Sequence, residues 1–116
     1  MMDNRKKIGN YGEDMAAAVL QNAGYAIVCR NYRRRYGEID IIAEKKGVLY
    51  FVEVKAKNSS SFSRPAESVG AAKRRQVANL AQSYLASHGG ERDCSFIIAE
   101  VYLDEQRVEL IEDSFI

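Results

Sequence analysis

Apolar residues recur along the 116-residue chain with two periods, one helical and one strand-like. Between Arg5 and Ala23 the stripe Ile8, Gly12, Met15, Ala16, Val19, Leu20 and Ala23 keeps helical spacing, and Gly24 marks its stop. Tyr25 to Arg35 reads as a strand that turns basic at its end. Two alternating runs follow, Gly37 to Ala43 and Val48 to Lys55, with Lys46-Gly47 between them as a two-residue hairpin turn. Lys57 to Arg64 carries three serines in a row and no period, which predicts a flexible loop. Pro65 suits the first turn of a helix. That helix runs through Val69, Lys73, Gln76, Val77, Leu80, Ala81 and Tyr84 and ends near His88, before Gly89-Gly90. Cys94 to Leu103 and Arg107 to Ile111 read as strands joined by Asp104-Glu105-Gln106. The order α-β-β-β-α-β-β predicts an α/β fold over residues 1–116, a single domain with a mixed sheet flanked by helices.

The hairpin carries the candidate chemistry. With Lys46-Gly47 as the turn, Lys45 pairs with Val48, Asp40 falls opposite Glu53, and Glu38 falls opposite Lys55. Side chains alternate faces along a strand. One face then reads Ile39, Ile41, Ala43, Val48, Tyr50, Val52 and Val54, all apolar. The other reads Leu49, Phe51 and Ile42 near the turn, then Asp40, Glu53, Glu38 and Lys55 at the far end. Opposed like charges destabilise a sheet, so the Asp40–Glu53 pair makes sense around a cation. Two carboxylates suit a hard metal with waters and substrate phosphates. With a lysine beside them they suit metal-assisted phosphodiester hydrolysis.

Composition bounds the rest. The chain is 47% hydrophobic and 28% charged, ordinary for a globular domain. No apolar run reaches the length of a membrane span, and no signal-peptide core follows Met1-Met2-Asp3-Asn4-Arg5-Lys6-Lys7. Cys29 and Cys94 have no metal-ligand spacing and read as buried thiols of a cytoplasmic protein. The net charge of +1 hides an asymmetry. Residues 1–99 hold 16 basic and 10 acidic residues, while residues 100–116 hold 1 and 6. The basic residues cluster as Arg30, Arg33, Arg34, Arg35 and as Arg64, Lys73, Arg74, Arg75. Such clustering is what nucleic-acid binding needs, and a solvated charged face is the plainer alternative. Lys73 and Gln76 interrupt the apolar stripe of the second helix, where polar groups need partners.

Asp40 followed after twelve residues by Glu53-Val54-Lys55 resembles the core motif of the PD-(D/E)XK nuclease superfamily. The ordered set is more specific. Gly9-Asn10-Tyr11-Gly12-Glu13-Asp14-Met15-Ala16, Asn31, Gly37-Glu38-Ile39-Asp40, Phe51-Val52-Glu53-Val54-Lys55, Pro65-Ala66-Glu67-Ser68-Val69 and Lys73 together resemble the YraN-like family of predicted endonucleases. Ile39 stands where the superfamily has Pro, and Lys57 stands where the family usually has Arg. The resemblance implies a restriction endonuclease-like sheet, related in core to archaeal Holliday junction resolvases. It implies an endonuclease acting on DNA, branched or single-stranded forms included. Asp40 and Glu53 would hold Mg²⁺ or Mn²⁺, with the Val54 carbonyl as a third ligand. Lys55 would position the attacking water, and Glu13 and Gln76 would complete the catalytic set. Arg33, Arg34, Arg35, Lys57, Lys73, Arg74 and Arg75 are the expected nucleic-acid contacts. No membrane partner is expected, and a homodimer stays open. The alternatives are a non-catalytic nucleic-acid-binding module and a partner subunit whose acidic C-terminal segment docks another protein.

Overall fold

The computed structural model describes residues 4–61 and 70–113, with side chains over residues 10–60 and 70–112. The elements are α1 (Asn4–Asn22), β1 (Ala26–Arg34), β2 (Gly37–Lys45), β3 (Val48–Lys57), a 3-10 turn (Ser59–Ser61), α2 (Ala71–Ser87), β4 (Cys94–Tyr102) and β5 (Arg107–Asp113). This is the order that the hydrophobic pattern predicts. The second helix starts with Gly70, an extended N-cap (φ −92°, ψ 176°). Pro65 and Val69, where its beginning was expected, lie outside the described residues. The five strands form one sheet in chain order, antiparallel except where β4 runs parallel to β3. A parallel neighbour needs a crossover, and α2 supplies it.

The two helices cover opposite faces of the sheet. Ala16, Ala17 and Leu20 of α1 pack on Ile41, Ala43, Val52, Ile97, Ala99 and Val101. Val77, Leu80, Ala81 and Tyr84 of α2 pack on Tyr32, Ile42, Leu49, Phe51, Phe96 and Ile98. Successive residues of β3 and β4 thus meet different helices, as the strand period requires.

Lys46 and Gly47 both have positive φ, 51° and 82°. That is the backbone of a type I′ hairpin turn, whose twist matches the flanking strands. The register follows as expected from Lys45–Val48 to Ile41–Val52. There the expectation fails: the ladder continues neither to Asp40–Glu53 nor to Glu38–Lys55. Past Val52, β3 keeps pairing with β4 as far as Lys57–Tyr102. The hairpin therefore splays at its charged end.

The splay comes with a change of face. Ile39 was expected beside Ile41, yet Ile39 packs in the α2 cluster and Ile41 in the α1 cluster. The neighbouring strand changes in step: Arg30 reaches Glu13 of α1, whereas Tyr32 reaches Ser83 of α2. Asn31, between them, has φ 56°. Asn is among the few side chains that enter this left-handed region at modest cost.

α1 comes close to the sheet at Gly12. A Cβ there would lie 2.7 Å from the Ala56 Cβ on β3, well inside van der Waals contact. Gly to Ala in a helix interior ordinarily stabilises by about 1 kcal/mol. Here Gly12→Ala is predicted to destabilise by about 1–2 kcal/mol, because forced overpacking outweighs the helical gain. Urea midpoints of the two proteins check the sign.

Candidate active site at the splayed hairpin

Asp40 sits in the gap that opens between β2 and β3. Its Oδ2 accepts a hydrogen bond from the Val54 N–H at 2.8 Å, so a side chain replaces the lost ladder acceptor. A strand residue directs its N–H and C=O to the same edge. The Val54 carbonyl therefore faces the gap too. Glu53 lies on the α2 face and has its Oε1 2.9 Å from the Lys73 ammonium. Its Oε2 is buried without a hydrogen-bond partner. A cavity of about 10 Å³ is lined by Glu38, Asp40, Glu53, Lys73 and apolar neighbours. That is close to the least volume that holds one water.

A second cavity of about 250 Å³ opens from Asp40 toward α1, between Asn10, Glu13, Asn31, Arg33 and Glu38. Glu13 is 7% exposed and accepts hydrogen bonds from Arg30 Nε (2.8 Å) and Asn31 Nδ2 (3.3 Å). Burial pushes the Asp40 carboxyl up to about 6, against the lowering effect of the Val54 N–H, and the charges of Glu53, Glu13 and Glu38 push the same way. A cation in the gap would relieve all of these.

The expected site residues are thus partly assembled. Asp40, Glu13 and the Val54 backbone meet at the gap, and Glu53 lines its α2 side. Lys55 follows Glu53 by two residues on β3 and forms no ion pair among the described residues. Among the described residues, no group of three or more His, Cys, Asp or Glu side chains is placed to hold a metal. Gln76 is engaged by other groups. It accepts from Lys73 Nζ (3.2 Å) and donates from Nε2 to the Tyr36 carbonyl (2.8 Å).

The basic residues divide. Lys73 turns inward onto Glu53. Arg33 pairs with Glu38, which settles that acid's partner: the β1 register sets Arg33 beside Glu38, and Lys55 is not involved. Arg34 lies over the Tyr32 ring and donates to Ser83 Oγ. Arg35, Lys57 and Arg75 are exposed, and Arg74 is half-buried on α2.

One acid escaped the sequence reading. Glu100 on β4 is 1% exposed, with Oε2 unpartnered and Oε1 3.1 Å from the Tyr102 hydroxyl. It pairs in register with Lys55. Its only signal in the sequence is a charge inside the apolar run Phe96 to Tyr102.

Asp40 predicts a pH dependence. Its folded-state pKa is raised from 3.8 to about 6, so folding favours the protonated form. That contribution is complete below pH 3.8 and is lost as pH rises through about 6. Asn mimics the protonated carboxyl at every pH. Each tenfold change in proton affinity between the folded and unfolded chain is worth about 1.4 kcal/mol. In EDTA, Asp40→Asn should therefore match the parent near pH 4 and exceed its stability by about 2–3 kcal/mol above pH 7. Urea unfolding across that range measures the difference.

Residues 12–112 match the sequence pattern of the family described as Uncharacterised protein family UPF0102. A UPF0102 protein of Moorella thermoacetica is 42% identical over 120 residues, covering 99% of this chain and 100% of the relative. One from Symbiobacterium thermophilum is 44% identical over 114 residues, covering 95% and 97%. One from Syntrophotalea carbinolica is 46% identical over 92 residues, covering 79% and 75%. The chain belongs to UPF0102, the YraN-like family that its motifs resemble.

Proposed function

We propose that the protein is a divalent-metal-dependent endonuclease of the PD-(D/E)XK superfamily, hydrolysing phosphodiester bonds of nucleic acid, DNA foremost. The observation that carries this is the splayed hairpin end. It sets two acids and a strand carbonyl around a gap, with one Glu53 oxygen buried and unpartnered. Hard oxygen donors of this kind suit Mg²⁺ or Mn²⁺, which need only one or two carboxylates beside waters and phosphate. Asp40, Glu53 and the Val54 carbonyl would hold the cation. When bound it supplies Lewis acidity to the phosphate and its water. Lys55 orients the attacking water and offsets charge on the phosphate oxygens as the new P–O bond forms and the bond to the leaving sugar oxygen breaks. Glu13, in the Asp40 cavity, holds Arg30 and Asn31 in place around the gap.

The Lys73–Glu53 pair favours one other function. An ammonium already on Glu53 would let a non-catalytic nucleic-acid-binding module tolerate its acids without metal. Turnover separates the two. Pure protein with Mn²⁺ should cut at least one of a set of linear, flapped and four-way DNAs. Excess EDTA, Glu53→Ala or Lys55→Ala should each abolish cutting, while circular dichroism stays unchanged. Cutting by a well-folded Glu53→Ala protein would refute the assignment.

Arg33 and Arg34 close β1 beside the gap and are proposed as phosphate contacts. Changing both to Ala should weaken duplex binding equally at all sequences. It should also flatten the slope of log affinity against log salt by about 1–2 units, at roughly 0.9 per phosphate neutralised. Fluorescence anisotropy over a salt series reads the slope.

A further inference from the structure

The turn between β1 and β2 carries a second feature beside the gap. Among the described residues the large apolar side chains left exposed are Tyr11, Val28 and Tyr36. Tyr36 is 49% exposed and forms one wall of an open hollow of about 430 Å³. Asn79, Gln82 and Ser83 of α2 line the rest. An exposed tyrosine beside two carboxamides and a hydroxyl offers a stacking surface together with donors and acceptors. Those are the groups that read the edge of an unstacked base. Arg34 donates to Ser83 Oγ at 3.3 Å, which sets a guanidinium at the rim for the attached phosphate. Paired bases in a duplex keep their faces stacked and could not enter.

The hollow is tied to the acids. Glu53 contacts Lys73 at 2.9 Å, Lys73 contacts Gln76 at 3.2 Å, and Gln76 holds the Tyr36 carbonyl at 2.8 Å. This chain of contacts fixes the backbone that presents the Tyr36 ring.

We infer that Tyr36, Asn79 and Gln82 form a pocket for an unpaired nucleobase next to the phosphate that the acids address. The pocket rests on the proposed function and names its substrate class: nucleic acid with unstacked bases, single strands or the unpaired arms of branched structures.

The test measures binding of the full chain in EDTA, where nothing is cut. Three labelled probes serve: oligothymidylate, the same strand with abasic positions, and a duplex of equal length. The corresponding RNA strand separates ribose from deoxyribose sources. Oligothymidylate, or its RNA counterpart, should bind more tightly than the abasic strand. Tyr36→Ala should weaken that binding about tenfold, in keeping with the contribution of one stacked base, and leave the abasic strand and duplex unchanged. Tyr36→Phe should retain the affinity. The Tyr36 side chain is exposed, and among the described residues the hydrogen bond it receives is to its carbonyl, so the variant should fold. Asn79→Ala with Gln82→Ala should reduce discrimination among homopolymers of different bases. Equal loss on the base-bearing and abasic strands, or no loss on either, would overturn the pocket and leave nucleic-acid binding standing. No binding of any probe at low salt would overturn both the pocket and the proposed function.

Discussion

The bond from the Val54 N–H to Asp40 Oδ2 is the constraint on which the rest of the site depends. A strand that leaves its neighbour exposes amides that must find partners. β2 leaves β3 after Ile41, and the Asp40 carboxylate takes the next inward-facing amide itself. One side chain thus ends the ladder, keeps the gap open and stays inside it. The consequence is an acid desolvated enough to have its pKa pushed up to about 6. The same opening has a cavity on each face of the sheet, and Asp40 lines both.

The fold was legible because its determinants are local. Lys46-Gly47 carries the positive-φ signature of a type I′ turn, and that turn set the parity of every residue as far as Ile41 and Val52. Helical spacing placed Ala16 and Leu20 under the sheet, and Val77, Leu80 and Tyr84 over it. The face change at Asn31 and Asp40 was not legible. Strict alternation is what a strand pattern assumes, and it fails on both strands here, on β1 beside Asn31 at φ 56°. Asn31 was the only hint, and asparagine within a strand has many other uses.

The site was legible in its membership more than in its contacts. Asp40, Glu53 and Glu13 were found from residue type, spacing and resemblance, and the structure brings them to the two cavities around one gap. Their partners follow from long-range packing. Lys73 stands in a run of basic residues with Arg74 and Arg75, yet its position on α2 turns it onto Glu53. Glu38 was expected with Lys55 by extending the hairpin register. The hairpin splays first, and β1 supplies Arg33 in its place. Glu100 falls inside the strand that the pattern predicts over Cys94 to Leu103, but its burial comes from the neighbours β3 and β5 on either side of it, which the local pattern does not show.

Charge compensation around the gap is uneven, and the unevenness has a direction. Glu13 has Arg30, Glu38 has Arg33, and one oxygen of Glu53 has Lys73. Asp40 has no basic partner among the described residues, and the other Glu53 oxygen has none either. The uncompensated negative charge therefore collects where β2 and β3 part. In the proposed function Asp40 and the open Glu53 oxygen would hold a divalent cation there, while Lys73 keeps the other Glu53 oxygen. Lys73 also contacts Gln76, and Gln76 anchors the Tyr36 carbonyl, so one line of contacts joins the acids to the β1–β2 turn. In the proposed function, metal, phosphate and base would be bound along that one connected set of contacts.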